Sequence, residues 1–133
     1  MGRTALLGIL VLAVAACASE APGALGDADV STACDRLEDL ATTLLQARDA
    51  TSREEFAGTV ERPLRAFVTA AEASGDDRLA ELARTYDEQI TAWRVLPAAD
   101  ANKAGDRADA ALDRAADRCW LLGAHNDFPE EPG

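Results

Sequence analysis

The sequence predicts an all-α protein, an up-down-up-down bundle of four helices. Three observations lead there. Alanine supplies much of a composition that is 48 % hydrophobic but only 5 % aromatic. Alanine loses no side-chain entropy in a helix, so Ala mixed with Leu, Glu and Arg favours that state. No run of alternating β-branched residues appears, which argues against strands. Lastly, four stretches repeat apolar residues at helical spacing, and the connections between them are short enough to make successive helices antiparallel neighbours. The length suits one domain with one core, and no internal repeat is visible.

The first helix is expected from about Val30 to Asp49. Its stripe is Val30, Cys34, Leu37, Ala41 and Leu44, widened by Ala33, Leu40 and Leu45. Asp29 or Ser31 is the expected N-cap. The second opens with Ser52-Arg53-Glu54-Glu55, a capping-box pattern in which hydroxyl and carboxylate satisfy each other's free backbone N–H groups. Its core face is Phe56, Val60, Leu64, Phe67 and Ala71, and Pro63 predicts a kink or short break. Ser74-Gly75 ends it, since glycine tolerates positive φ. The third starts at Asp76 or Asp77 with a stripe of Leu79, Leu82, Ala83, Tyr86, Ile90 and Trp93, and Pro97 stops it near Leu96. The fourth runs from about Asp100 to Leu122 before Gly123. Its face is Ala101, Ala104, Ala108, Ala111, Leu112, Ala115, Cys119 and Leu122, mostly alanine, so close approach to its neighbours is expected.

Upstream of the bundle, Arg3 precedes an apolar run from Ala5 to Ala16 that ends Val14-Ala15-Ala16-Cys17. A cation before about a dozen apolar residues has the proportions of an export signal. The run is shorter than the ~20 residues of an ordinary membrane span. An aliphatic residue, two small residues and a cysteine resemble the lipobox of bacterial lipoproteins. The resemblance covers the first seventeen residues and implies a diacylglyceryl thioether on Cys17, cleavage before it, and residence at the extracytoplasmic face of the cell membrane. Ordinary secretory cleavage and an uncleaved short anchor are the alternatives. The Arg- and Ala-rich composition is also similar to that of small helical lipoproteins of high-GC Gram-positive bacteria. The expected organisation is thus a signal peptide over 1–16, a flexible tether over 17–29 rich in Pro, Gly and acids, the bundle over 30–123, and a disordered tail over 124–133.

The cysteine count ties these readings together. Three cysteines are odd in an exported chain unless Cys17 carries lipid. Cys34 and Cys119 then remain, both on core-facing stripes. In the bundle the start of the first helix and the end of the last share a pole, so a disulfide between them is expected. Two buried free thiols are the alternative.

The net charge of −11 argues against nucleic acid and against anionic headgroups as partners. Motifs for chemistry are sparse. The single histidine, His125, lies in the tail without a metal-ligand pattern, the glycines make no phosphate loop, and no cofactor is implied. Asp106, Asp113, Asp117 and Asp109 fall on one line of the fourth helix at about 100° per residue, flanked by Lys103, Arg107, Arg114 and Arg118. That pattern reads as a solvated outer face with intrahelical pairs; a cation or basic-partner site is the alternative. Two clusters are candidate binding sites. Arg48, Arg53, Phe56 and Trp93 share the pole away from the membrane, where the end-of-helix Arg48 either snorkels over apolar neighbours or interacts with the helix C-terminus, or else the four wall a small cleft. Trp120 falls off the apolar face of its helix, either covered by the tail at Phe128 or by the tether, or exposed to a partner. The expected function is a non-catalytic binding or interaction module with a protein or small-molecule partner. The alternative is a small-molecule or metal carrier with a site between helices near Trp93 or Pro63; an enzyme ranks third.

Overall fold

The computed structural model describes residues 22–124, with side chains from Asp29 onward. Four helices follow one another: α1 Pro22–Ala47, α2 Arg53–Ala73, α3 Asp77–Val95 and α4 Ala98–Leu121. There is no strand among the described residues. Each helix packs on the next and α4 returns to α1, the arrangement of a four-helix bundle. Packing is closest along α1–α2 and α3–α4, sparser between α2 and α3, and sparsest between α1 and α4. A disulfide between Cys34 and Cys119 joins the first and last helices, with Cα atoms 5.9 Å apart. No described helix is long and apolar enough to cross a membrane. The lipobox with Cys17, residues 18–21 and the tail from His125 lie outside the described residues.

Local chemistry explains most of the boundaries. Ser52 caps α2 by accepting the Glu55 N–H at 3.0 Å. The return half of the expected capping box is displaced by one residue. The Glu55 carboxylate accepts the backbone N–H and the hydroxyl of Thr51, at 3.0 and 2.7 Å, rather than the Ser52 N–H. Between α2 and α3 the buried Ser74 hydroxyl donates to the Ala71 carbonyl and accepts the Asp76 N–H. Gly75 turns the chain at φ +80°, and Asp76 caps α3 through the Leu79 N–H. Pro97 drives Leu96 into extended backbone and so ends α3. At the end of α4, Gly123 at φ +88° sends its N–H to Trp120 and lets the Ala124 N–H reach the Cys119 carbonyl, a Schellman closure.

Two boundaries differ from the sequence expectation. Helix α1 begins at Pro22, so residues 22–29 of the expected tether are helical. Proline at the first helical position loses no hydrogen bond and arrives with a helical φ, and Asp29 and Ser31 then lie inside the helix, where neither caps it. Helix α2 runs unbroken through Pro63. Val60, Leu64 and Phe67 are buried on both sides of the proline, and this shared packing holds one axis where an isolated peptide would break.

The core is assembled from the predicted stripes. Leu37 and Leu40, Val60 and Phe67, and Leu79 and Tyr86 are its largest fully enclosed side chains apart from the cystine. Helix α4 contributes alanines 101, 104, 108, 111 and 115, which let it lie close against α3. Beyond the disulfide, the expected close approach to α1 is not made. Ala41, Leu44 and Leu45 on α1 and Leu112 on α4 stay only half-buried, because the seam they face is open.

Candidate functional site

That seam forms a concavity. Beyond the disulfide, from Leu37 to Arg48, α1 and α4 stand apart over a groove of about 710 Å³. Its floor comes from α3, where Tyr86, Ile90 and Trp93 recur at turn-like spacing on the helix face that meets the core. Leu44 and Leu45 form the α1 wall, and Leu112 and Ala116 the α4 wall. Polar groups stand at the margins: Arg48 at one end of α1, and Asp109 with Asp113 along α4.

Trp93 marks the far end of the groove and is fixed from several sides. Phe56 meets it edge-on, with ring centroids 5.1 Å apart and planes at 68°. The Arg53 guanidinium lies 5.7 Å from its ring centroid. Gly105 faces the indole from α4: a Cβ there would stand 3.6 Å from Trp93 Cδ1, an ordinary packing contact. The four residues expected to form a distal cleft therefore divide. Arg48, Phe56 and Trp93 line the groove, while Arg53 turns away from it. Its Nη1 donates to the carbonyls of Trp93 and Leu96 at 2.9 and 2.6 Å, satisfying the open C-terminal end of α3. A helix-terminus role considered for Arg48 is thus performed by Arg53, on a different helix.

Trp120 sits elsewhere. It is 61 % exposed at the disulfide pole, beside Leu121, and does not line the groove. Phe128, its suggested cover, lies outside the described residues.

The acidic line of α4 is exposed, as expected of a solvated face, but the expected intrahelical pairs are missing at three of its acids. Arg118 leaves it for Asp76 on the turn before α3, with Nη2–Oδ1 at 2.6 Å and Nε–Oδ2 at 3.0 Å. Asp106, Asp113 and Asp117 make no ion pair among the described residues. The spacing explains this. Four residues beyond each acid of the line stands Ala110, Asp113, Asp117 or Leu121, never a cation, so the favourable acid-before-base pairing is missing. One border of the groove carries negative charge from Asp109 and Asp113. Its effect reaches the floor: burial, aided by the Asp109 charge, pushes the Tyr86 hydroxyl far above its ordinary value of 10.0.

Sequence reasoning picked out Phe56, Trp93 and Arg48 but not Tyr86, Gly105, Asp109 or Asp113 as parts of one site. Adjacent leucines at 44 and 45, opposite an alanine-rich helix, were the available signal: they offer more apolar surface than alanines alone cover. No group of three or more His, Cys, Asp or Glu side chains is placed to hold a metal ion among the described residues. The groove offers apolar area, two carboxylates and one guanidinium, a lining suited to holding a molecule. No protein-family model, curated protein or solved structure matches this chain.

Proposed function

We propose that this chain is a non-catalytic binding domain, held at the outer face of the cell membrane by lipid on Cys17, and that the α1–α4 groove is its ligand site. The groove carries the reading. At about 710 Å³ it falls in the size range of small-molecule sites, and its lining joins aromatic and aliphatic surface to a few polar groups at the margin. Support for the anchor comes from Val14-Ala15-Ala16-Cys17 and from two cysteines that pair with each other, leaving the third for another use. Two acyl chains, at about 0.8 kcal/mol per buried CH₂, give stable attachment where one holds only marginally. Intact mass spectrometry of the native product is expected to show a chain that begins at Cys17 and carries the acylated glyceryl mass. An unmodified Cys17 removes the anchor from the proposal.

The binding role is tested by a thermal-shift panel of small metabolites and metal ions on the disulfide-bonded domain. A ligand at a hundredfold excess over its Kd adds about 2.7 kcal/mol, which in a domain of this size moves the melting point by on the order of 10 °C. The stabilising compound is also expected to change Trp93 emission in a Trp120→Phe background. A second reading places a protein partner on the exposed Trp120 and Leu121 at the disulfide pole. It gains if the panel is flat and partner capture from the native membrane is lost with Trp120→Ala.

A further inference from the structure

We propose that the groove takes a small uncharged molecule, an elongated apolar body carrying a carbonyl oxygen, and that the Tyr86 hydroxyl donates to that oxygen. This rests on the reading of the groove as the ligand site and adds the chemistry of what fills it.

Tyr86 is the residue that points to a ligand. It is only 1 % exposed, yet it lines the groove. Its hydroxyl makes no hydrogen bond to the protein. Among the described residues, every side-chain nitrogen or oxygen that is sealed from solvent does have a partner. The Tyr86 oxygen is therefore not sealed, and the groove is what it opens onto. A hydroxyl enclosed on all other sides is costly to leave without a bond, and phenylalanine would fill the same volume without that cost. Burial and the Asp109 charge keep the hydroxyl protonated well above its ordinary range, so it remains a donor at any ordinary pH.

The surroundings set the rest of the ligand. The groove follows α1 from Leu37 to Arg48, which at 1.5 Å per residue is about 16 Å of helix. Beside Tyr86 the floor holds Ile90, with no polar side-chain atom, and Trp93, whose indole N–H only donates. Leu44 and Leu112 on the walls add apolar surface. Between its borders the groove thus presents donors and no side-chain acceptor. An apolar chain replaces water there without leaving polar groups unpaired, and a carbonyl oxygen accepts without bringing a donor of its own. A carboxylate in that position is opposed by Asp109 and Asp113 along α4 and by a net charge of −11.

The test uses three probes of matched length: heptyl methyl ketone, the alkene in which a methylene replaces its oxygen, and nonanoate. Each is titrated calorimetrically into the disulfide-bonded parent and into Tyr86→Phe, with Trp93 emission followed in a Trp120→Phe background. Tyr86→Phe is expected to weaken the ketone roughly tenfold and to leave the alkene unchanged. The carbonyl stretch of the bound ketone is expected at lower frequency in the parent than in the variant, a difference that altered packing alone would not produce. Since the hydroxyl has no protein partner, the variant should melt at the parent's temperature or above it. A lower melting point would show that the hydroxyl holds the fold and would overturn its assignment as a free donor. A ketone that binds the variant as it binds the parent, or that loses no more than the alkene, overturns the hydroxyl contact and leaves the groove as a site. Nonanoate binding the parent more tightly than the ketone overturns the uncharged class. Failure of all three probes to bind or to alter Trp93 emission overturns the groove reading itself.

Discussion

Replacing Cys34 and Cys119 together by alanine is expected to cost about 4–5 kcal/mol of unfolding free energy, on the chain-entropy account of a long closed loop. The bridge spans 85 residues of sequence, nearly the whole bundle. It also falls where packing has least to offer, since α1 and α4 make the sparsest contact of the four adjacent pairs. In a domain of this size a loss of that order lowers the melting point by roughly 20 °C or more. Both sulfurs are fully buried, so a reductant added to the native protein acts through unfolding and works slowly at low temperature. Urea titration of the double variant against the parent measures the difference. A loss under about 1 kcal/mol would show that side-chain packing, not the covalent tie, sets the α1–α4 spacing. The groove gives a second readout. Its walls are the two helices the bridge holds, so the variant is expected to lose Trp93-reported ligand binding under conditions where the circular dichroism still reports four helices.

How much of this was legible in the chain depends on the range of the interaction involved. Ser52, Gly75, Asp76, Pro97 and Gly123 act within a few residues, and their roles at helix ends follow from residue type and spacing. Pro63 shows the limit. Its tendency to break a helix is local, but the outcome is decided by Val60, Leu64 and Phe67 against other helices. Pro22 and the glycines after it suggest a tether by composition, yet a proline at the first helical position is compatible with helix. The stripe on α1 was readable as a stripe, but not its division. Ala33, Cys34, Leu37 and Leu40 are enclosed, while Ala41, Leu44 and Leu45 face a gap, and a helical wheel carries no information about the distance to the next helix. The same holds for Asp109 and Asp113. Their angular position opposite the alanine face was correct, and only the open seam turns a solvated line of acids into the border of a groove.

Asp76→Ala is expected to cost about 2–3 kcal/mol, more than any other single polar change in the bundle. One carboxylate performs two tasks. It caps α3 by accepting the Leu79 N–H at 2.9 Å, and such caps contribute about 1 kcal/mol. It also receives both arms of Arg118 from α4, with its own side chain only 13 % exposed. Forked pairing to a largely enclosed carboxylate is stronger than a surface ion pair, although Arg118, at 33 % exposure, keeps part of its hydration when the acid is removed. Asp76→Asn separates the tasks, because asparagine caps as well as aspartate but carries no charge. It is expected to retain about 1 kcal/mol of what alanine loses. Acidity offers an independent check. The Arg118 hydrogen bonds hold the Asp76 carboxyl below its ordinary value of 3.8, against the opposing effect of burial, with help from the Leu79 N–H and the Arg118 charge. The folded state therefore binds this proton more weakly than the unfolded chain. The resulting stability is fully present above the unfolded value and disappears as pH falls through the lower, folded one. The stability gap between parent and Asp76→Asn should thus be constant from roughly pH 7 to 5, then shrink below about pH 4 as the parent's carboxyl is protonated. Glu55 is shifted in the same direction by its bonds to Thr51, but it is present in both proteins and drops out of the difference. A gap that stays constant down to pH 2 would mean that the charge of Asp76 contributes nothing and that the cap alone accounts for the loss.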